Sequence, residues 1–278
     1  MFQKRKEMET FSLILDKLIN GEKLHVPLEY KDELPSKIQH QLLRLSEKIH
    51  GSERQLTKER DEVRELIAEI AHQMRNPLAN MESYLELLGM AGCETERQEY
   101  LEILKNTESQ LHFLTESFIK MARLESRIIQ IKPDAAMLSQ TIMQSILQIK
   151  KAADAKHIFI ELAMDKDLQV SHDANWLGEA IYNMLENSVK YSPFDSVIRI
   201  LAVQNEMYTQ ICISDSGIGI AEGEEGQIFQ RFYRGKETYG QPGFGLGLYL
   251  SREIVLMHGG FVKAKRKKPG LEISIFLP

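Results

Sequence analysis

Between Ile38 and Ile70 the apolar residues recur in heptads: Ile38, Leu42, Leu45, Ile49, Leu56, Val63 and Ile70. A repeat of that period puts the side chains on one narrow seam of a long helix, and such a seam is buried only against another helix. Gly51-Ser52 is expected to interrupt it. The pattern resumes as Ile67, Ile70, Met74, Leu78, Met81, Leu85 and Leu88. Two spacings of four, across 70, 74 and 78, shift the seam locally. Pro77 lies in the same stretch and predicts a kink, because it removes a backbone donor.

Gly89 to Glu96 reads as a turn, and a second helix follows with Leu101, Leu104, Leu111, Leu114, Phe118 and Met121 on one face. Such a hairpin cannot cover both sides of its own apolar stripe. Two hairpins pairing into a four-helix bundle can, so a homodimer is expected. Ahead of the seam, Phe11–Asn20 has a short helical pattern, and Gly21 to Pro35 reads as a linker.

Beyond Pro133 the pattern changes to α+β: a helix near Met137–Ala153, a strand near Ile158–Leu162 and a helix from about Asn175 to Tyr191. Strands at Val197–Val203 and Tyr208–Ser214 precede a Gly-rich loop that runs to about Gly243. A helix at Leu246–His258 and a hairpin (Phe261–Lys265, Leu271–Phe276) complete it. Helices grouped on one face of a mixed sheet form a two-layer sandwich. The expected domains are 1–59, a partly helical linker segment; 60–131, the helical hairpin; and 132–278, the α/β sandwich.

Charge and cysteines exclude several classes. The net charge of −5 implies no general affinity for nucleic acid. Cys93 and Cys212 lie far apart, without the spacing of a disulfide framework or zinc site, which fits a reducing, cytoplasmic setting. No apolar run is long enough to span a bilayer. Lys4, Arg5 and Lys6 fit two readings equally: a solvated arm, or the cytoplasmic flank of a membrane helix in a longer sensor.

Several local sequences carry chemistry. His72 lies two residues from Ile70 and two from Met74, so at 100° per residue it faces away from the seam. A neutral imidazole there is a usable nucleophile. Asn76 follows one turn later, placed to orient a water. Alone, an exposed histidine on a helix is more simply a surface residue. Asn183 and Asn187 share a helix face, and amide oxygens there can join phosphates and waters around Mg²⁺. Asp215-Ser216-Gly217-Ile218-Gly219 follows a strand, and its glycines allow a tight turn beside a ligand. Arg231 and Arg234 can offer charge to a terminal phosphate. Gly243-Phe244-Gly245-Leu246-Gly247-Leu248 enters a helix, whose backbone N–H groups suit a polyphosphate. The spacing matches neither a Walker loop nor a dinucleotide fingerprint.

In this order the segments resemble the sensor histidine kinases of two-component systems, from about residue 60 to the end. His72, Asn76, Pro77 and Leu78 fit the family's phosphoacceptor pattern, His-acidic-x-x-(Asn/Thr)-Pro-Leu. Gln73 departs from it: an amide accepts a hydrogen bond but cannot carry the compensating charge, so slower phosphorylation is expected. The resemblance implies ATP and Mg²⁺ as cofactors in a GHKL-type domain, with Asn187 the direct metal ligand and Asn183 beside it. It puts Lys190 on the phosphates, Tyr191 near the base and Asp215 on the adenine amine, with Gly217 and Gly219 in the same loop. Phe229 and Phe232 would anchor a lid carrying Arg231 and Arg234. Gly243, Gly245, Leu246, Gly247 and Leu248 would cradle the triphosphate. It also implies a response regulator as partner. Two rivals are an ATP-driven machine of the gyrase and chaperone superfamily and a phosphatase-biased adaptor. The first calls for a glutamate where Asn183 stands; the second is favoured by Gln73 and Asn76.

Overall fold

The computed structural model describes residues 34–125, 131–165, 168–235, 238 and 243–278. The expected helix Phe11–Asn20 and most of the linker after it lie outside these residues. The chain divides into two units, Met1–Arg75 and Asn76–Pro278.

Helix α1 covers Leu34–Met90 without a break. Pro35, expected in a linker, falls in its first turn, where proline's missing N–H has no intrahelical partner to lose. The expected interruption at Gly51-Ser52 is absent. One glycine costs about 1 kcal/mol relative to alanine, and the helix formers Glu47, Lys48, Arg54 and Gln55 flank it. In the first unit the seam residues Leu45, Ile49, Leu56 and Val63 are 39–62% exposed. Pro77 is inside the helix, which runs on to Met90.

In the second unit, residues 76–90 of α1 form a hairpin with α2 (Glu94–Glu125) through a turn at 91–93. Glu96 Oε2 accepts from Gly92 N at 3.1 Å and closes that turn. Glu94 and Glu96 also place negative charge at the helix start, where the macrodipole favours it. The Tyr84 and Tyr100 rings meet across the hairpin at 5.9 Å. Late in α2, Leu114, Phe118, Met121 and Leu124 are buried.

The α/β part runs β1 (Asp134–Met137), α3 (Leu138–Ala155), β2 (Phe159–Met164), β3 (Gln169–His172), α4 (Ala174–Tyr191), β4 (Val197–Gln204) and β5 (Thr209–Ser214). After a 3₁₀ turn at Gln227–Phe229 come α5 (Gly247–Met257), β6 (Phe261–Arg266) and β7 (Leu271–Leu277). The sheet order is β2-β4-β5-β7-β6. Only its β2–β4 pair is parallel. Alternation decides the faces: Ile198, Ile200, Ile211, Ile213, Ile273 and Ile275 point inward against Ile142, Leu177, Ile181, Met184, Leu185 and Ile254 of the helices. This is the two-layer sandwich expected. The antiparallel pair β1–β3 was not anticipated. Each strand has four residues and neither alternates strongly enough to stand out. Among the described residues no helix is long and apolar enough to cross a membrane.

Candidate active site

A cleft of about 970 Å³ opens in the second unit, between the end of α4, the loop after β5, the segment entering α5 and the start of β7. Asp173 starts α4 properly: its Oδ1 accepts from Asn175 N and Trp176 N at 3.1 and 3.2 Å. At the other end, Lys156 Nζ donates to the carbonyls of Val189, Lys190 and Ser192 at 2.9, 2.7 and 3.1 Å. Those carbonyls belong to the helix end, which has no intrahelical donors left for them. The ammonium therefore fixes the turn from which Lys190 and Tyr191 enter the cleft. Lys190 Nζ stands 4.7 Å from the centroid of the Tyr191 ring.

Asp215, at the cleft floor, is held by three donors. Its Oδ1 accepts from Gly217 N at 2.9 Å and Leu271 N at 3.1 Å. Its Oδ2 accepts from Ser188 Oγ at 3.2 Å. Burial pushes the carboxyl above the usual aspartate range, and these three hydrogen bonds oppose the shift. The side chain is thus a rigid acceptor in a poorly solvated place.

Asn183 is buried, and its Nδ2 has no hydrogen-bond partner among the described residues. Asn187 Nδ2 donates to Asn183 O at 3.0 Å, which leaves its Oδ1 for the cleft. A Cβ placed on Gly247 would lie 3.7 Å from both Asn183 Cβ and Asn187 Nδ2, so the start of α5 meets the asparagine pair directly. Gly245 is required by its surroundings. It has φ +71°, and a Cβ there would come within 2.5 Å of Tyr233 O. Its carbonyl accepts from Phe232 N at 3.1 Å, which ties the segment around Phe232 to the glycine loop. Phe232 itself packs on Phe118 of α2 at 6.0 Å, and Phe244 stacks on Phe113 at 6.4 Å.

The residues singled out in the sequence are distributed as follows. Asn187, Lys190, Tyr191, Asp215, Gly219, Arg234, Gly243, Gly245, Leu246, Gly247 and Leu248 line the one cleft. Asn183 and Gly217 sit behind that lining, on the partners just described. Arg231 is not in the lining; its guanidinium lies over the Tyr249 ring at 5.7 Å. Arg234 Nη2 donates to Thr238 O at 2.8 Å. In the first unit, His72 is exposed on α1 and Gln73 is half-buried; Asn76, in the second, is exposed.

Sequence reasoning missed Ser188, Lys156, Glu186 and Phe113. Ser188 follows Asn187 and had a visible address in the motif. Lys156 acts on carbonyls more than thirty residues away, and no local pattern signals that. Glu186 lines the cleft, and burial raises its pKa while Lys190 opposes the shift.

Comparison with known proteins agrees with this geometry. A model of the His Kinase A (phospho-acceptor) domain matches residues 62–127. One described as histidine kinase-, DNA gyrase B-, and HSP90-like ATPase matches residues 172–278. The signal transduction histidine-protein kinase/phosphatase MprB of Mycolicibacterium smegmatis is 28% identical over 242 residues, covering 83% of this chain and 47% of that protein. The sensor histidine kinase WalK of Bacillus subtilis is 29% identical over 225 residues, covering 78% of this chain and 37% of that protein. The chain therefore spans about half the length, or less, of these curated relatives. The solved structure of histidine kinase ThkA in complex with response regulator protein TrrA superposes with a TM-score of 0.68, covering 82% of this chain and 65% of that chain. At 18% identity that likeness bears on the fold alone. With a phosphoacceptor domain on its helices and this ATPase domain after them, the chain belongs to the sensor histidine kinases of two-component systems.

Proposed function

We propose that the chain binds Mg-ATP in the cleft, transfers the γ-phosphoryl group to Nε2 of His72, and passes it on to an aspartate of a separate response regulator. The observation that carries the nucleotide reading is Asp215, fixed by three donors at the floor of a cleft whose other end is the α5 N-terminus. A carboxylate held in that way accepts the exocyclic amine of adenine. Guanine presents a carbonyl oxygen at that place, and the two acceptors would repel.

The residues present also fit a magnesium ion. Asn187 offers an amide oxygen, the hard donor type Mg²⁺ takes, and the orphaned Asn183 Nδ2 can donate to a phosphate oxygen or a metal-bound water. When bound, the ion would neutralise charge on the β- and γ-phosphates. Lys190 adds a second positive charge at the same place. In the transfer the imidazole lone pair forms an N–P bond, the bond from phosphorus to the bridging oxygen breaks, and ADP leaves. The Nδ1 proton must then go to a base. Gln73 cannot take it, so transfer is slower than with a carboxylate there. Asn183 is neutral and cannot activate water as a glutamate would, which favours holding ATP for His72 over hydrolysing it.

The same proposal covers the wider assembly. The exposed apolar side chains Val63, Ile67, Leu78 and Leu85 of α1 support a homodimeric four-helix bundle within 60–131, followed by the catalytic domain at 132–278. Membership of the two-component sensor histidine kinases supports a response regulator's receiver domain as partner. The MprB name joins kinase to phosphatase, and Asn76, exposed four residues after His72, supports dephosphorylation of the regulator as a second activity. Lys4, Arg5 and Lys6 fit a cytoplasmic position behind a membrane tether as well as they fit a solvated arm.

Titration with ATP and GTP tests the purine site. ATP is expected to bind at least tenfold tighter, and Asp215→Asn is expected to weaken ATP about tenfold, since an amide donor replaces a buried acceptor at a cost of about 1–3 kcal/mol. Equal affinity for both nucleotides, or no change in Asp215→Asn, would remove the assignment.

A further inference from the structure

The two helices that build the phosphate end of the cleft are antiparallel neighbours, cross-linked at matched intervals. At the cleft, Gly247 of α5 meets Asn183 and Asn187 of α4. One turn along α5, Ser251 Oγ lies 3.0 Å from the carbonyls of both Ala180 and Gly247. Two turns further, His258 caps the end of α5. Its Nδ1 lies 2.8 Å from Ile254 O, and its Nε2 lies 3.1 Å from Asp173 N, at the start of α4. The intervals agree: seven residues separate Asp173 from Ala180, and seven separate Ser251 from His258.

The hydrogen bonds dictate one protonation state. Ile254 O can only accept, so Nδ1 carries the proton. Asp173 N–H can only donate, so Nε2 must be bare. The same Asp173 fixes its own backbone: Oδ1 caps α4, and Oδ2 accepts from Lys132 N at 3.2 Å. The N–H offered to His258 therefore cannot turn away cheaply.

We propose that His258 is a positioning residue for the nucleotide site: by joining the head of α4 to the tail of α5 it holds the two helices in the register that sets Gly247 against Asn183 and Asn187. The inference rests on the reading of the cleft as an ATP site. It also carries a pH dependence. Protonating Nε2 would set an N–H against the Asp173 N–H and break the link. The ionisable groups facing the ring are Asp173, which favours the charged form, and His172 on β3, which disfavours it; burial is the largest influence and lowers the pKa. A histidine depressed in the folded state contributes stability that is present above its unfolded pKa, about 6.5, and lost as pH falls below that.

The test is ATP affinity of the full chain, by calorimetry, between pH 7.5 and 5.5. Three proteins are compared: the natural chain, His258→Phe and His258→Gln. Phenylalanine keeps ring bulk without an acceptor; glutamine keeps an acceptor that does not titrate. Loss of one buried hydrogen bond is worth about fivefold. His258→Phe should therefore bind about fivefold more weakly than the natural chain at pH 7.5. His258→Gln should match the natural chain at pH 7.5 and bind progressively tighter than it as the pH falls. The titration of the triphosphate is common to all three and cancels in the ratios. A purely structural role would shift melting temperature and leave these ratios flat. The inference is overturned if His258→Phe binds as tightly as the natural chain, or if the natural-to-Gln ratio does not change with pH. Should His258→Phe not fold, the glutamine ratio decides alone. No ATP binding by the natural chain would overturn the site reading beneath it.

Discussion

An Asn187→Ala chain is expected to lose Mg-ATP-dependent self-phosphorylation by about a thousandfold, the size of losing several kcal/mol of charge stabilisation in the transition state. The fold should survive it. Asn187 is half-buried at the cleft wall, its side chain makes one hydrogen bond among the described residues, to Asn183 O, and alanine is a better helix former. The readout is initial rate at saturating Mg²⁺ and ATP, with circular dichroism to show that the chain is folded. Raising Mg²⁺ should not restore the rate. Unchanged self-phosphorylation in this variant would remove Asn187 from the metal site.

Gly270→Ala should act on the fold instead. Gly270 has φ +100° in the turn from β6 to β7, a conformation open to glycine and little else. A Cβ there would lie 1.9 Å from Asp215 O, 2.7 Å from Asp215 C and 3.0 Å from Ser216 Cα. All three are backbone atoms, and none has a rotamer to escape into. Leu271 next door exchanges two hydrogen bonds with Asp215, one to its carboxylate and one to its N–H. The methyl would therefore push the floor of the cleft off the end of β7. Strain plus clash should cost more than about 3 kcal/mol, lower the melting temperature by about 10 °C and abolish ATP binding. A melting temperature within about 2 °C of the natural chain would show that this turn yields without effect on the site.

Much of this arrangement was legible before the structure. The heptads from Ile38 announced a long helix, and the asparagine pair, Asp215 loop and glycine loop stood out in order as the segments that the structure gathers at one cleft. What failed shows where sequence stops. Gly51 looked like a break, but one glycine cannot overrule a helix of strong formers. β1 and β3 are stabilised by pairing with each other, and neither has a pattern of its own. Lys156 and His258 act on backbone groups far along the chain, so their roles exist only once the helices pack. Arg231 shared its segment with Arg234 yet lies over Tyr249, because a loop gives no period from which direction can be read.

The central claim is that His72 takes the γ-phosphoryl group. Incubating the chain with Mg²⁺ and γ-labelled ATP tests it most directly. The natural chain should retain label that is lost in acid and stable in alkali, and His72→Gln should retain none while still binding ATP. Label undiminished in His72→Gln, or a natural chain that binds ATP yet never becomes labelled, would contradict it.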